Sequence, residues 1–326
     1  MPFARRAFLA ATTTPLFAQS PARKPVIVAT CKGDHTVAFV DPFSLQVLAR
    51  VPTGEGPHEV CVSADGRTAY ASIYGVAGRP GSQIAVLDVD TRKEIKRVSI
   101  APMRSPHGIV ECRGKIWFTA EQSRAVGRFD PVSGQVDWTM GTGAWVSHML
   151  VLKPDASKLY TTDIIDNTVT VIGLTAAPGR PPVFRHIPVR ERPEGIAISP
   201  SGHEVWAGHN VNGDISIIDT TRDQVVHTIP NSSKMAFRLA FTPDGKTVAV
   251  AGATAQELLL FNAATRELEA RIATPGSVPQ GLLISPDSKL LFTATGPKIL
   301  KVDLTARRLA GECAPGDGVD GLAWAS

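Results

Sequence analysis

A short pattern recurs along this chain at intervals of forty-odd residues, and that period restricts the fold more than any other feature. Strand-like segments closing on an acidic turn occur at Phe39-Val40-Asp41-Pro42, Val86-Leu87-Asp88, Arg128-Phe129-Asp130-Pro131, Ile217-Ile218-Asp219-Thr220, Phe261-Asn262 and Val302-Asp303, with Gly173 in the fourth slot. Successive offsets are 47, 42, 43, 46, 43 and 41 residues. A second marker, an apolar strand followed by a tight turn, falls at Asp65-Gly66, Arg113-Gly114, Asp155-Ala156, Ser201-Gly202, Asp244-Gly245 and Asp287-Ser288. Its offsets are 48, 42, 46, 43 and 43, so two independent markers keep one period.

Between the markers the residues alternate at period two, as in Thr168-Val169-Thr170-Val171-Ile172 and Asp214-Ile215-Ser216-Ile217-Ile218. Each unit thus has room for about four short strands, the size of a propeller blade. Helix pairs would need a period of 3.6, which is absent. The 28 Gly and 25 Pro, spread along the chain, fit many turns. The first unit, from about Pro25 to Glu55, lacks the opening apolar strand, and the chain ends with such a strand alone, Val319-Asp320-Gly321-Leu322-Ala323-Trp324. The pattern predicts an all-β, seven-bladed propeller over residues 21–326, closed by the C-terminal strand, which removes an exposed sheet edge.

Tyr70-Ala71-Ser72, Tyr160-Thr161-Thr162-Asp163 and Trp206-Ala207-Gly208 occupy the place of a Tyr-Val-Thr-Asn box ahead of Val-x-Val-Ile-Asp. These repeats resemble the YVTN-type β-propeller family over about residues 25–326, although no copy spells the four letters in full. The resemblance implies the architecture. It does not fix an activity, because similar propellers include lactonase-like enzymes, haem d1 domains of nitrite reductases, and binding or surface proteins.

Residues 1–20 read as an export signal: Arg5-Arg6 near the start, a brief apolar stretch, and a small-x-small end at Ala18 and Ser20. Arg5-Arg6-Ala7-Phe8-Leu9 resembles a twin-arginine signal, with Ala4 where Ser or Thr is usual. The expected location is periplasmic or secreted. No stretch is long and apolar enough for a membrane helix. The net charge of +4 gives no electrostatic footprint for nucleic acid. Cys31, Cys61, Cys112 and Cys313 are widely separated and show no CxxC spacing, which predicts free cysteines packed as small apolar groups.

Counting seven residues back from each tight turn (six in the third blade) selects His58, His107, His148, Glu194, Phe237 and Gln280, with Asp320 in the closing strand. Gly108, Gly195, Gly281 and Gly321 follow four of them and leave room for close approach. One arc of the channel mouth therefore gathers three imidazoles and two carboxylates. Loops of the same face carry His35 and His209, with Cys31 and Asp163 at nearby strand ends; His203 falls on the opposite face, and His186 and His227 on outer strands. Arg192 and Arg238 flank the ring and suit a carboxylate or phosphate. Trp145 precedes His148 and is expected to plug a gap between blades, while Trp117 and Trp206 belong to the core.

Two functions follow. The first is a monomeric binding propeller that takes a small molecule, a protein or a peptide at the channel mouth, with Asp320, Gln280, Arg238, His209 and His35 as ligand-binding residues. The second is a metal-dependent, lactonase-like hydrolase or lyase, or an oxidoreductase. In it His58, His107 and His148 hold a divalent or copper-type ion, and Glu194 is a further ligand or general base. No G-x-S-x-G, phosphate-binding loop or C-x-x-C-H haem-attachment motif is present.

Overall fold

Alternating apolar and polar residues on short segments divided by Asp, Asn and Gly turns can bury one face only by pairing into sheets and stacking them. The computed structural model describes residues 23–175 and 182–326, and over them the chain builds seven four-stranded antiparallel sheets. The innermost strands, in ring order, are Val319–Ala325, Pro57–Val62, Pro106–Cys112, Ser147–Leu152, Pro193–Ile198, Ala236–Phe241 and Leu282–Ile284. The expected seven-bladed propeller is therefore the observed fold. The export segment at residues 1–20 lies outside the described residues.

The ring closes as the end asymmetry requires. Val319–Ala325 pairs antiparallel with Val26–Cys31, aligning Ile27 with Trp324 and Val28 with Ala323. It becomes the inner strand of the first blade, so the last segment of the sequence completes the sheet begun by the first. Between blades sit seven apolar clusters. Val28, Val37 and Phe39 of the first blade meet Val60, Ala71 and Leu87 of the second, and Trp117 and Val126 of the third meet Leu150 and Leu159 of the fourth. Trp117 and Trp206 are core residues, as expected.

The recurring acidic markers are structural. Asp41 accepts the backbone N–H groups of Phe43 and Ser44, Asp219 those of Thr221 and Arg222, and Asn262 those of Ala264 and Thr265. In the second marker, Asp65, Asp155, Asp244 and Asp287 each accept the N–H two residues on. All four cysteines are free, two of them buried. No described helix is long and apolar enough to cross a membrane; the one helical element among the described residues is a single 3-10 turn, Glu121–Ser123.

Removal of the closing strand by truncation after Ala314 is expected to abolish the cooperative thermal transition followed by circular dichroism. A truncated chain that melts like the full one would contradict closure by this strand.

Candidate functional site

Each inner strand from the first to the sixth blade begins with an irregularity in pairing, at Pro57/Val60, Pro106/Ile109, Ser147/Leu150, Pro193/Ile196, Ala236/Leu239 and, in the first blade, opposite Ala29/Cys31. The irregular stretch holds His58, His107, His148, Glu194 and Asp320, and turns them to the channel axis. The His58 and His107 rings lie 4.0 Å apart, and His107 and His148 3.8 Å apart. Asp320 Oδ2 stands 3.3 Å from His58 Nδ1, and Glu194 Oε1 stands 2.6 Å from His148 Nε2, both off the line of a hydrogen bond. The predicted arc thus converges on one place.

A repeated contact fixes this arc. In the first four blades the second strand presents a buried hydroxyl: Thr30, Ser72, Thr119 and Thr162. Each accepts a backbone N–H from the irregular stretch of its own inner strand, from Gly321, Glu59, Gly108 and Met149 respectively. Each also donates to the carbonyl of a ring residue in the next blade, His58, His107, His148 and Glu194, at 2.6–2.9 Å. The other three blades have Gly208, Ala251 and Ala294 at this position. The glycines after the ring residues do what was expected of them. A Cβ on Gly108, Gly195, Gly281 or Gly321 would lie within 3 Å of the backbone oxygen of His148, Phe237, Asp320 or His58 in the next blade.

Three blades lack that glycine and carry Glu59, Met149 and Arg238 in its place. Arg238 Nη1 donates to Glu194 at 3.2 Å and Nη2 to Glu59 at 3.1 Å, so one buried guanidinium crosses the channel between the sixth and second blades.

A second tier escaped the sequence reading. Lys32, Glu121, Ile164 and Asn210 stand just past the end of the second strand in the first, third, fourth and fifth blades. Tyr74 holds the same register inside the longer second strand Thr68–Val76 of the second blade, and four of these five reach the ring. Lys32 Nζ lies 2.8 Å from Asp320. The Tyr74 hydroxyl donates to Glu121 Oε2 at 2.6 Å, and Glu121 Oε1 holds His148 Nδ1. Asn210 donates to Glu194 Oε2 at 2.8 Å. Their backbone N–H groups bond Gly318, Gly56, Ser105, Val146 and Arg192, which all have positive φ. That shared left-handed turn, imposed even on β-branched Val146 at φ +57°, sets where each inner strand starts.

The ring divides into an ionic part and a neutral part. Burial alone would discharge His148, but Glu194 and Glu121 overcome it and lift the imidazole to about 9. Burial likewise opposes the charge on Glu194, which His148 and Arg238 nevertheless hold down to about 2. Arg238 keeps its charge against burial because Glu59, Glu194 and Asp320 face it. Glu59 is pushed up by burial, which Arg238 only partly offsets. Burial brings His58 down to about 3 despite Asp320, and His107 falls well below the ordinary range, burial again leading and the neighbouring His148 and His58 adding to it. Two neutral imidazoles therefore stand beside a charged network.

The remaining candidates lie apart from this network. Gln280 is half-buried and bonds Ala294 through its backbone, with no side-chain bond to the ring among the described residues. His35 is a turn residue at φ +57° whose Nδ1 accepts the Gly56 N–H. His209 is buried against the Ser216 hydroxyl at 2.9 Å; its neighbour Asn210 is the one that reaches Glu194. Arg192 is exposed, so of the two flanking arginines Arg238 alone enters the channel. Trp145 does not plug a gap: it is 53% exposed and carries the Arg124 guanidinium over its ring at 3.0 Å.

No known family and no curated protein matches the chain. Among solved structures it is similar to Kuenenia stuttgartiensis hydrazine synthase, with a TM-score of 0.67 and 18% identity over 82% of this chain and 89% of that one. It is also similar to a functionally unknown protein from Desulfotomaculum acetoxidans DSM 771, with a TM-score of 0.77 and 11% identity over 92% and 98%. A third likeness is to the Cps50 (Swd1) β-propeller domain of Myceliophteria thermophila, with a TM-score of 0.71 and 13% identity over 85% and 92%. At such identities the likeness establishes the fold.

Two outcomes follow from these contacts. Ser72→Ala strands the buried Glu59 N–H and His107 carbonyl together, and is expected to cost about 1–3 kcal/mol in urea unfolding; an unchanged midpoint would contradict the clasp. His209 is held down to about 4, burial outweighing Asp214. A depressed histidine stabilises the fold above its unfolded value of 6.5, and that contribution is lost as pH falls toward 4. His209→Gln is expected to remove on the order of 2–3 kcal/mol of the acid-induced loss. A variant with the wild-type pH profile would contradict it.

Proposed function

We propose that this chain is an exported, monomeric YVTN-type propeller that binds a small molecule or a protein or peptide partner through the mouth of its central channel. The observation carrying this reading is the convergence of ionisable side chains from the first six blades on one end of the channel. Lys32, Tyr74, His58 and Asn210 remain only partly buried there. Burying so many polar groups costs stability unless they are partnered. Yet His107 Nδ1, Asn210 Oδ1 and Asp320 Oδ1 have no hydrogen-bond partner among the described residues, and His58 Nδ1 has only Asp320 Oδ2 at 3.3 Å, off the line of a hydrogen bond. Unsatisfied groups facing one mouth favour a ligand that completes them. The enzyme reading gains less: a carboxylate held down to about 2 is a weak proton acceptor at neutral pH, so Glu194 suits binding better than base catalysis.

Thermal-shift screening of the full chain against metal ions, small carboxylates and short peptides tests this. At least one class is expected to raise Tm in proportion to the logarithm of its concentration. The shift should vanish in a Lys32→Ala, His58→Ala double variant. No shift from any class, or one that survives the double substitution, would contradict the reading. Export is checked by fusing residues 1–20 to a reporter active only outside the cytoplasm. Reporter activity that falls on replacing Arg5 and Arg6 by lysine supports the twin-arginine route, and an inactive fusion contradicts export.

A further inference from the structure

We propose that His58, Glu59 and His107 form a binding site for a divalent transition-metal ion, zinc or copper in class, with its open coordination position toward the channel mouth. The inference rests on the channel-mouth reading and names the ligand class. One donor atom from each of the three residues lies within 4.8 Å of the others, a span that one ion can gather. The donors are two imidazoles and a carboxylate, the composition of zinc centres that keep a fourth position for water or substrate. Imidazole selects zinc, copper or nickel over magnesium and calcium, which prefer all-oxygen shells.

His107 is free for this task, and His58 has only Asp320 Oδ2 at 3.3 Å from Nδ1, off the line of a hydrogen bond. Neither His58 nor His107 makes a side-chain hydrogen bond among the described residues, and His107 is 2% exposed with Nδ1 unpartnered. A buried imidazole that gives its nitrogens to nothing is an uncompensated cost unless something absent from the polypeptide takes them. Glu59 spends Oε1 on Arg238, leaving Oε2 without a side-chain partner. Access also fits, because the His58 side chain is 17% exposed at the mouth.

His148 is the less suitable third ligand. His107, Glu121 and His148 form a second group of the same span, but Glu121 holds His148 Nδ1 and Glu194 crowds Nε2. In the proposed site His148 packs against His107, ring centroids 3.8 Å apart and tilted by 37°, and positions it. The surrounding clasp gives the ligands a fixed frame. Thr30 holds the His58 carbonyl and Ser72 that of His107, and Ser72 also binds the Glu59 N–H. Such support sets ligand geometry before the ion arrives.

The test uses the full chain without an affinity tag, stripped with chelator and titrated with Zn(II) and Cu(II), with Mg(II) and Ca(II) as controls. One zinc or copper per chain is expected by calorimetry and elemental analysis, and electron paramagnetic resonance of the copper form is expected to show two imidazole nitrogens. His107→Gln and His58→Gln should each raise Kd at least about 100-fold. His227→Gln, on an exposed outer strand, should leave it unchanged. If His107→Gln does not fold, the partly exposed His58→Gln decides. Absence of stoichiometric binding, a spectrum without imidazole nitrogen, or affinity insensitive to His58→Gln overturns the site. If no ion binds while a carboxylate or peptide still gives a shift lost in the Lys32→Ala, His58→Ala variant, the metal inference fails and the channel-mouth reading stands. If neither binds, both fail.

Discussion

At each junction along one arc of the ring, a single buried hydroxyl serves two backbones at once. Thr30, Ser72, Thr119 and Thr162 take an N–H from their own inner strand and give their proton to a carbonyl in the next. The irregular start of an inner strand leaves backbone groups outside the ladder, and buried groups of that kind must be paired. The hydroxyl answers that need and also sets the spacing between blades. The glycines beside the ring let neighbouring strands come that close. Side-chain chemistry at the channel mouth follows from this backbone arrangement. The four carbonyls so held belong to His58, His107, His148 and Glu194, and Arg238 enters the channel from the sixth blade, which lacks the hydroxyl.

The held side chains sort by neighbour. His148 lies between two carboxylates and beside a fixed guanidinium, so it belongs to an ion network that crosses the channel through Arg238 to Glu59. Breaking such a buried network by removing one partner leaves an uncompensated charge, which gives its members a strong mutual dependence. His107 and His58, one and two rings away, have no comparable acceptor aligned with their Nδ1 atoms. Burial disfavours the imidazolium throughout: at His148 the two carboxylates overcome it, whereas at His58 and His107 it prevails and leaves a neutral ring with a lone pair available. One row of three tilted imidazoles therefore contains a positioning residue and two potential ligands.

Much of this was legible in the sequence. The turn markers depend on local chemistry, Asp accepting nearby N–H groups, so they repeat faithfully and reveal the period. Counting back from the tight turn located the ring, since the distance along a paired strand is fixed by the ladder. The second tier obeyed an equally regular rule: Tyr74, Ile164, Asn210 and Ala253 stand nine residues after the tight-turn slot, and Glu121 eight after it in the shorter third blade. Favouring His35 and His209 for their residue type passed over that register, and His209 points to Ser216 while the next residue reaches the ring. Glu59 was less accessible to such counting. It sits where four blades need glycine, and its reach to Arg238 depends on the width of a channel that no local pattern encodes. Trp145 was misjudged because a neighbouring loop supplies Arg124 as its partner in place of a gap between blades.

The central claim is that backbone clasps between blades bring His58, Glu59 and His107 to one point able to hold an ion. Its most direct measurement is a crystal structure of the zinc-loaded protein with anomalous differences recorded on both sides of the zinc edge. The account predicts one strong edge-dependent peak, bonded to a nitrogen of His58, a nitrogen of His107 and an oxygen of Glu59. A peak elsewhere, or no peak beside these three residues in fully loaded crystals, would contradict it.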